Sequence, residues 1–268
     1  MQSNMTDTLG QWASAPLVYV LAEVRCSPTL DVERRAAAVQ EAIRSEYPLL
    51  EPAAEIRVSP GSPVGATTSQ IFAFTDASKR RGVLISSSSV CYHVTEYVTS
   101  NEFFEQLGNV LRAIEPIYAK DTVTRLGLRY VDAIVPRDAE TVFDYVNPAL
   151  AGVNLNGDSS RRVQCVVEQP RQNGGIAIRF LALGIPIYRS PDLPALGLRQ
   201  PTWVDKTMER QAETAILDTD NWIVAEGPYQ AESVLGVFKG LKSGITSAFL
   251  KAISPHAMTI WQTPRPTS

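Results

Sequence analysis

Val123-Thr-Arg-Leu-Gly-Leu-Arg-Tyr-Val-Asp-Ala-Ile-Val135 is the stretch on which the fold turns. β-Branched and large apolar residues dominate it, and its side chains alternate as they do in a strand. Leu126, Leu128, Tyr130 and Asp132 fall on one side; Arg125, Gly127, Arg129, Val131 and Ala133 fall on the other. A second strand of the same character runs from Pro16 to Ser27. There Val18, Val20, Ala22 and Val24 share one face, and Tyr19, Leu21, Glu23 and Arg25 share the other.

Helices separate the strands. Asp31 stands where an N-cap would stand, and Val32, Ala36, Val39 and Ile43 repeat at helical spacing up to Tyr47-Pro48. Ser100 reads as the next cap, followed by the apolar stripe Phe103, Leu107, Val110, Leu111 and Ile114. The last long helix spans Tyr229 to Ile253, with Val234, Val237, Phe238, Leu241, Ile245 and Phe249 on one stripe. Gly236, Gly240 and Gly244 recur in it every four residues, which would let a helix press closely on a sheet at a cost of roughly 1 kcal/mol each relative to alanine.

Further strands are expected at Glu55–Val58, Gln70–Thr75, Val83–Val98 (kinked through Ser86 to Ser89), Val163–Gln169, Gly175–Leu183, Glu213–Thr219 and Ala257–Trp261. Asp76 to Gly82 is a polar turn, and Asn173-Gly174 is a hairpin signal. The expected class is α+β: mixed or antiparallel sheets with long helices packed on one face. Both halves read as hairpin, helix, strand, so two similar halves are expected, residues 15–150 and 151–263. They meet near Asn154–Ser160, with a flexible arm at 1–14 and a disordered tail at 264–268.

Composition bounds the function. The chain has 268 residues, 44% of them hydrophobic and 20% charged, which excludes a wholly disordered chain. A formal net charge of −3 speaks against a protein built mainly to hold a phosphate backbone. The N-terminus lacks the pattern of a secretory signal and no apolar run is long enough for a membrane helix, so the cytoplasm is expected. Cys26, Cys91 and Cys165 lie far apart and read as free thiols.

Catalytic signatures are missing. Neither His93 nor His256 has metal-ligand spacing, and no nucleophile elbow, phosphate loop or dinucleotide fingerprint occurs. No metal and no cofactor is therefore expected. Asp218 and Asp220 flank Thr219 at an expected strand end, where they could hold a hard cation or cap a turn. Glu23, Arg25, Arg125 and Arg129 are charges in mid-strand, which must pair across the sheet or face an anionic ligand. With Tyr130 they form the candidate binding set. Lys79-Arg80-Arg81 and Arg161-Arg162 are basic clusters that read as solvated turns or as minor nucleic-acid contacts.

Ala15-Pro-Leu-Val-Tyr-Val-Leu-Ala-Glu-Val-Arg25, Tyr47-Pro48, Leu126-Gly-Leu-Arg-Tyr-Val-Asp132, Leu217-Asp218 and the terminal helix through Trp261 resemble a family of sporadically distributed bacterial proteins of unknown function. Gly127-Leu-Arg-Tyr130 is the most specific piece, and Asp132 stands where that pattern has asparagine. The resemblance implies an α+β bacterial protein and carries no activity. Its scattered occurrence suggests a defence or toxin-neutralising locus.

The leading expectation is thus a non-catalytic binding module whose partner is a protein or a small anionic ligand. The first alternative is a small-molecule enzyme using Glu23, Arg25, Arg129 and Tyr130. The second is a nucleic-acid binder with Tyr92 and Tyr97 on an exposed sheet. A membrane partner is not expected, and the sequence allows a homodimer.

Overall fold

The computed structural model describes residues 12–57, 67–137, 139–155, 157, 161–193, 197–204 and 213–264. Chain order gives β1 (Leu17–Cys26), α1 (Val32–Ile43), β2 (Leu49–Arg57), β3 (Thr67–Thr75), β4 (Arg81–Ile85), β5 (Ser89–Val94), α2 (Ser100–Tyr118) and β6 (Thr122–Ile134). A 3-10 turn at Val142–Tyr145 follows, then β7 (Val163–Arg171), β8 (Gly174–Ala182), β9 (Ala215–Pro228), α3 (Ala231–Ala252) and α4 (Pro255–Gln262).

The nine strands form one sheet in the order β2-β3-β4-β5-β1-β6-β9-β8-β7. Every pairing is antiparallel. The fold is therefore α+β, and the two expected halves share a single sheet joined where β6 meets β9. Helices lie on one face because each strand offers one apolar row. Val20, Ala22 and Val24 of β1 and Leu126 and Leu128 of β6 pack with Val39 of α1, Leu107 and Leu111 of α2, and Phe238 of α3. A smaller core gathers Phe180, Leu217, Phe249 and Trp261 under α4. On the other face, Tyr188, Leu193 and Val204 from the β8–β9 connection cover Tyr19, Val131 and Ile216. Among the described residues no helix is long and apolar enough to cross a membrane.

Several local readings are corrected. Val83–Val98 is not one kinked strand but the β4–β5 hairpin. Ser86 Oγ accepts hydrogen bonds from the backbone of Ser88 and Ser89, so the serines close a turn instead of continuing the ladder. Thr99, not Ser100, caps α2, its Oγ1 accepting from Glu102 N at 3.2 Å. Ala257–Trp261 is helical: Ser254 caps α4 and Pro255 occupies its first turn, where a missing N–H costs nothing. The strand expected at Glu55–Val58 begins earlier, at Leu49, and Val58 lies outside the described residues.

The strand expected to end at Thr219 runs on to Pro228. Asp218, Asp220 and Asn221 read as turn residues, but arginines and a helix carbonyl satisfy them inside the sheet. The arm also departs from expectation in its described part. Trp12 stacks on Trp261 at 6.2 Å, and Ser14 N donates to Trp261 O at 3.0 Å. Residues 1–11 and 265–268 lie outside the described residues.

Of the three helical glycines, only Gly244 meets the sheet. A Cβ there would stand 2.4 Å from Asn221 Nδ2, which donates to Leu241 O at 2.7 Å. Gly236 and Gly240 face open space.

Candidate functional site

The register of β1 on β6 sets Arg25 opposite Arg125 and Glu23 opposite Gly127. Glu23, Arg25, Arg125 and Arg129 therefore share the face away from the helices. They are brought together, and they satisfy one another. Glu23 Oε2 accepts from Arg25 Nε and Arg125 Nη1, each at 2.8 Å. Arg125 also reaches Asp220 at 3.3 Å and lies 5.6 Å from the centre of the Trp222 ring. Gly127 leaves room for this fork: a Cβ would come within 2.5 Å of Arg125 Nη1.

Arg129 is held more firmly. Its Nε donates to Asp218 Oδ1 at 2.8 Å, and Nη2 meets the second oxygen of the same carboxylate. Nη1 and Nη2 also donate to the two oxygens of Asp192, at 2.9 and 2.8 Å. Burial works against the charge of Arg129, but the bonds from Asp218 and Asp192 outweigh it and raise its pKa above the ordinary arginine value. Ser190 Oγ donates to Asp218, and Arg179 stands 3.7 Å from it. Asp218 and Asp220 are thus mid-strand counter-ions, neither a turn pair nor a cation site. Among the described residues no cluster of three or more His, Cys, Asp or Glu is placed to hold a metal ion.

Tyr130 faces the other way. Its hydroxyl lies 3.0 Å from that of Tyr97, beneath the helices. The four residues proposed as an enzyme site do not converge on one substrate, since Tyr130 is separated from Glu23, Arg25 and Arg129 by the sheet itself. Tyr92 is also under the helices, donating to Gln106 Oε1 at 2.7 Å, so the two tyrosines make no exposed stacking platform.

The other charged motifs are engaged as well. Lys79 pairs with Glu51, Arg80 donates to Arg199 O and Gln200 O, and Arg81 pairs with Asp76. Arg161 lies over the Phe143 ring at 3.9 Å. His93 is a buried structural residue, 2.8 Å from the Tyr19 hydroxyl, with its pKa pulled down to about 3 by burial. His256 meets Glu140 at 3.1 Å. Cys26 and Cys91 are buried thiols, and Cys165 is half-buried.

A concave feature among the described residues lies between the helix-facing row of β6 and α3. It is a cleft lined by Pro16, Leu17, Tyr97, Ser100, Tyr130, Asp132, Thr219, Lys242, Ile245, Thr246 and Phe249. Asp132 and Thr219 mark its inner end, at 4% and 0% exposure. No hydrogen bond or ion pair joins the Asp132 carboxyl to another described residue, and the buried Thr219 hydroxyl has no partner. Ser100 and Lys242, both half-buried, mark the outer end, where Lys242 Nζ donates to Ser100 Oγ at 3.1 Å. Ser100 opens α2, whose dipole favours negative charge at this end.

Sequence reading missed this set apart from Tyr130 and, as a candidate for stacking on nucleic acid, Tyr97. Its one visible signal is Asp132, a carboxylate in phase with Leu126 and Leu128 on the core-facing row. An ionisable group in that phase is costly unless something answers it. Lys242 and Thr219 carry no such signal, because only the crossing of α3 over β9 brings them together.

Burial, and to a lesser degree Asp218, pushes the Asp132 pKa well above the ordinary carboxylate value. The neutral acid is therefore the form the fold prefers. Its contribution to stability is complete below the unfolded pKa of about 3.9 and is lost as pH rises through the folded pKa. Asp132→Asn keeps the shape without the titration. Urea unfolding at pH 5 and pH 8 is expected to show the variant gaining on the wild type as pH rises, by up to about 1.4 kcal/mol per pH unit within that window.

No protein-family model matches the chain, and no curated protein matches it. Among solved structures, an uncharacterized protein from Eubacterium rectale ATCC 33656 shares 13% identity over 88% of this chain and 70% of its own. Its TM-score of 0.20 carries no argument about fold or function.

Proposed function

We propose that the protein binds a small anionic molecule with an apolar body in the cleft between β6 and α3. The observation that carries this is the inner end of the cleft, where the Thr219 hydroxyl is buried with no hydrogen-bond partner among the described residues and the Asp132 carboxyl, 4% exposed, bonds to none of them. Native proteins rarely leave such groups unanswered, and a ligand offering an acceptor would satisfy the neutral acid and the hydroxyl together. Leu17, Ile245 and Phe249 would cover the apolar body. Lys242 and the start of α2 would take the anionic end. The arginine face supports an anion site less well, because Arg125 and Arg129 are already bonded to carboxylates of the chain.

Native mass spectrometry of protein purified from its own cells tests this reading. A co-purifying small acid is expected, with affinity reduced about tenfold to a hundredfold by Lys242→Ala. Protein that carries nothing, and whose melting is unmoved by a panel of carboxylates and phosphate esters, would count against it. The raised pKa of Asp132 favours a second reading, in which the ligand is a substrate and Asp132 supplies a proton. Consumption of the bound molecule at a rate abolished by Asp132→Asn would select that reading.

A further inference from the structure

The strand β7 is one edge of the nine-stranded sheet, and no other described strand pairs with its outer side. Val166 and Val167 are 60% and 43% exposed, and the rest of the strand from Glu168 to Arg171 is exposed as well. An edge strand of nine residues with apolar side chains in the open is a template for another strand. Natural edges are commonly blunted by charge and proline, and on β7 these are confined to its C-terminal part, at Glu168, Pro170 and Arg171.

We propose that β7 pairs antiparallel with β7 of a second copy of this chain about a two-fold axis at Cys165, so that the two sheets become one. The register follows from charge and from proline. With the axis at Cys165, Arg162 stands opposite Glu168 of the partner subunit, twice by symmetry, and Val163 opposite Val167 of the partner subunit. Among the described residues neither Arg162 nor Glu168 forms an ion pair within its own chain. The paired segment ends before Pro170, whose missing N–H cannot serve a ladder.

Neighbouring registers are worse. Facing side chains share a face of the sheet, so the axis must run through a residue that faces its own copy. An axis at Val166 brings Pro170 into the ladder and sets Arg161 against Arg171 of the partner subunit. An axis at Gln164 forms no ion pair between described residues. Only the Cys165 axis combines opposite charges, an apolar row on one face and a free proline.

Sedimentation velocity of the full chain over a range of concentrations reads the proposal directly. A dimer is expected for the wild type. Glu168→Arg, which sets like charges against each other twice, is expected to weaken it about tenfold or more. Adding Arg162→Glu to Glu168→Arg reverses both charges and is expected to restore the dimer. Mild oxidation should link two copies through Cys165, a link absent in Cys165→Ser, because facing residues of an antiparallel pair lie within disulfide reach. A wild type that stays monomeric at every concentration overturns the proposal. So does a dimer indifferent to Glu168→Arg, or one that the double exchange fails to restore. Circular dichroism of each variant separates loss of pairing from loss of fold.

Discussion

Arg129→Ala is expected to destabilise the protein by about 3–5 kcal/mol, read as a lower urea midpoint with an unchanged slope. The size follows from what is left behind. Asp218 is fully buried, with 0% side-chain exposure, and Arg129 supplies it with two hydrogen bonds. Without the guanidinium, Asp218 retains Ser190 and a distant Arg179. An uncompensated carboxylate in that position must be protonated or hydrated, and either weakens the β6–β9 seam. Arg129→Lys is expected to recover only part of the loss. One ammonium cannot bond two oxygens of Asp218 and two of Asp192 in the planar geometry the guanidinium offers. Asp192 is the lesser partner, since its side chain is 59% exposed and solvent can replace the bond.

Phe238→Ala is expected to cost a similar amount, about 3–5 kcal/mol, for a different reason. Phe238 is 0% exposed and lies where α3 meets the sheet, packed in the same core as Leu107, Leu111 and Leu128. Removing the ring takes away its transfer from water and leaves a hole that neighbours on two helices and a strand can only partly fill. Equilibrium unfolding in urea measures it, and Phe238→Leu should lose distinctly less because the hole is smaller.

The contrast between these residues shows what could be read in advance. Phe238 announces itself by helical spacing with Val234, Leu241 and Ile245, because a helix buries one stripe and the period is written in the chain. The alternation of Leu126, Leu128 and Tyr130 against Arg125 and Arg129 likewise places the arginines on one face before any coordinates. Their partners are another matter. Asp218 and Asp220 look like the end of a strand, since isolated aspartates favour turns; they remain in β9 only because β6 lays two arginines beside them. Ser86 to Ser89 show the same weakness in reverse, a run compatible with a strand that local hydrogen bonds fold into a turn. The cleft was the least visible. Its residues come from three strands, β1, β6 and β9, from the start of α2 and the loop before it, and from α3, and what unites them is the crossing of elements, which no local pattern encodes.

The strand order has a consequence for how the chain is made. β6 lies between β1, which precedes it, and β9, which begins at Ala215, some eighty residues later. During synthesis at about 5–20 residues per second, β6 therefore leaves the ribosome with one flank paired and the other bare for on the order of ten seconds. Arg125 finds Glu23 of β1 already in place, whereas Arg129 waits for Asp192 and then for Asp218 of β9. The arginine that later stitches β6 to β9 thus stands, while translation is in progress, beside an unfinished edge, and a charge there discourages pairing with another nascent chain.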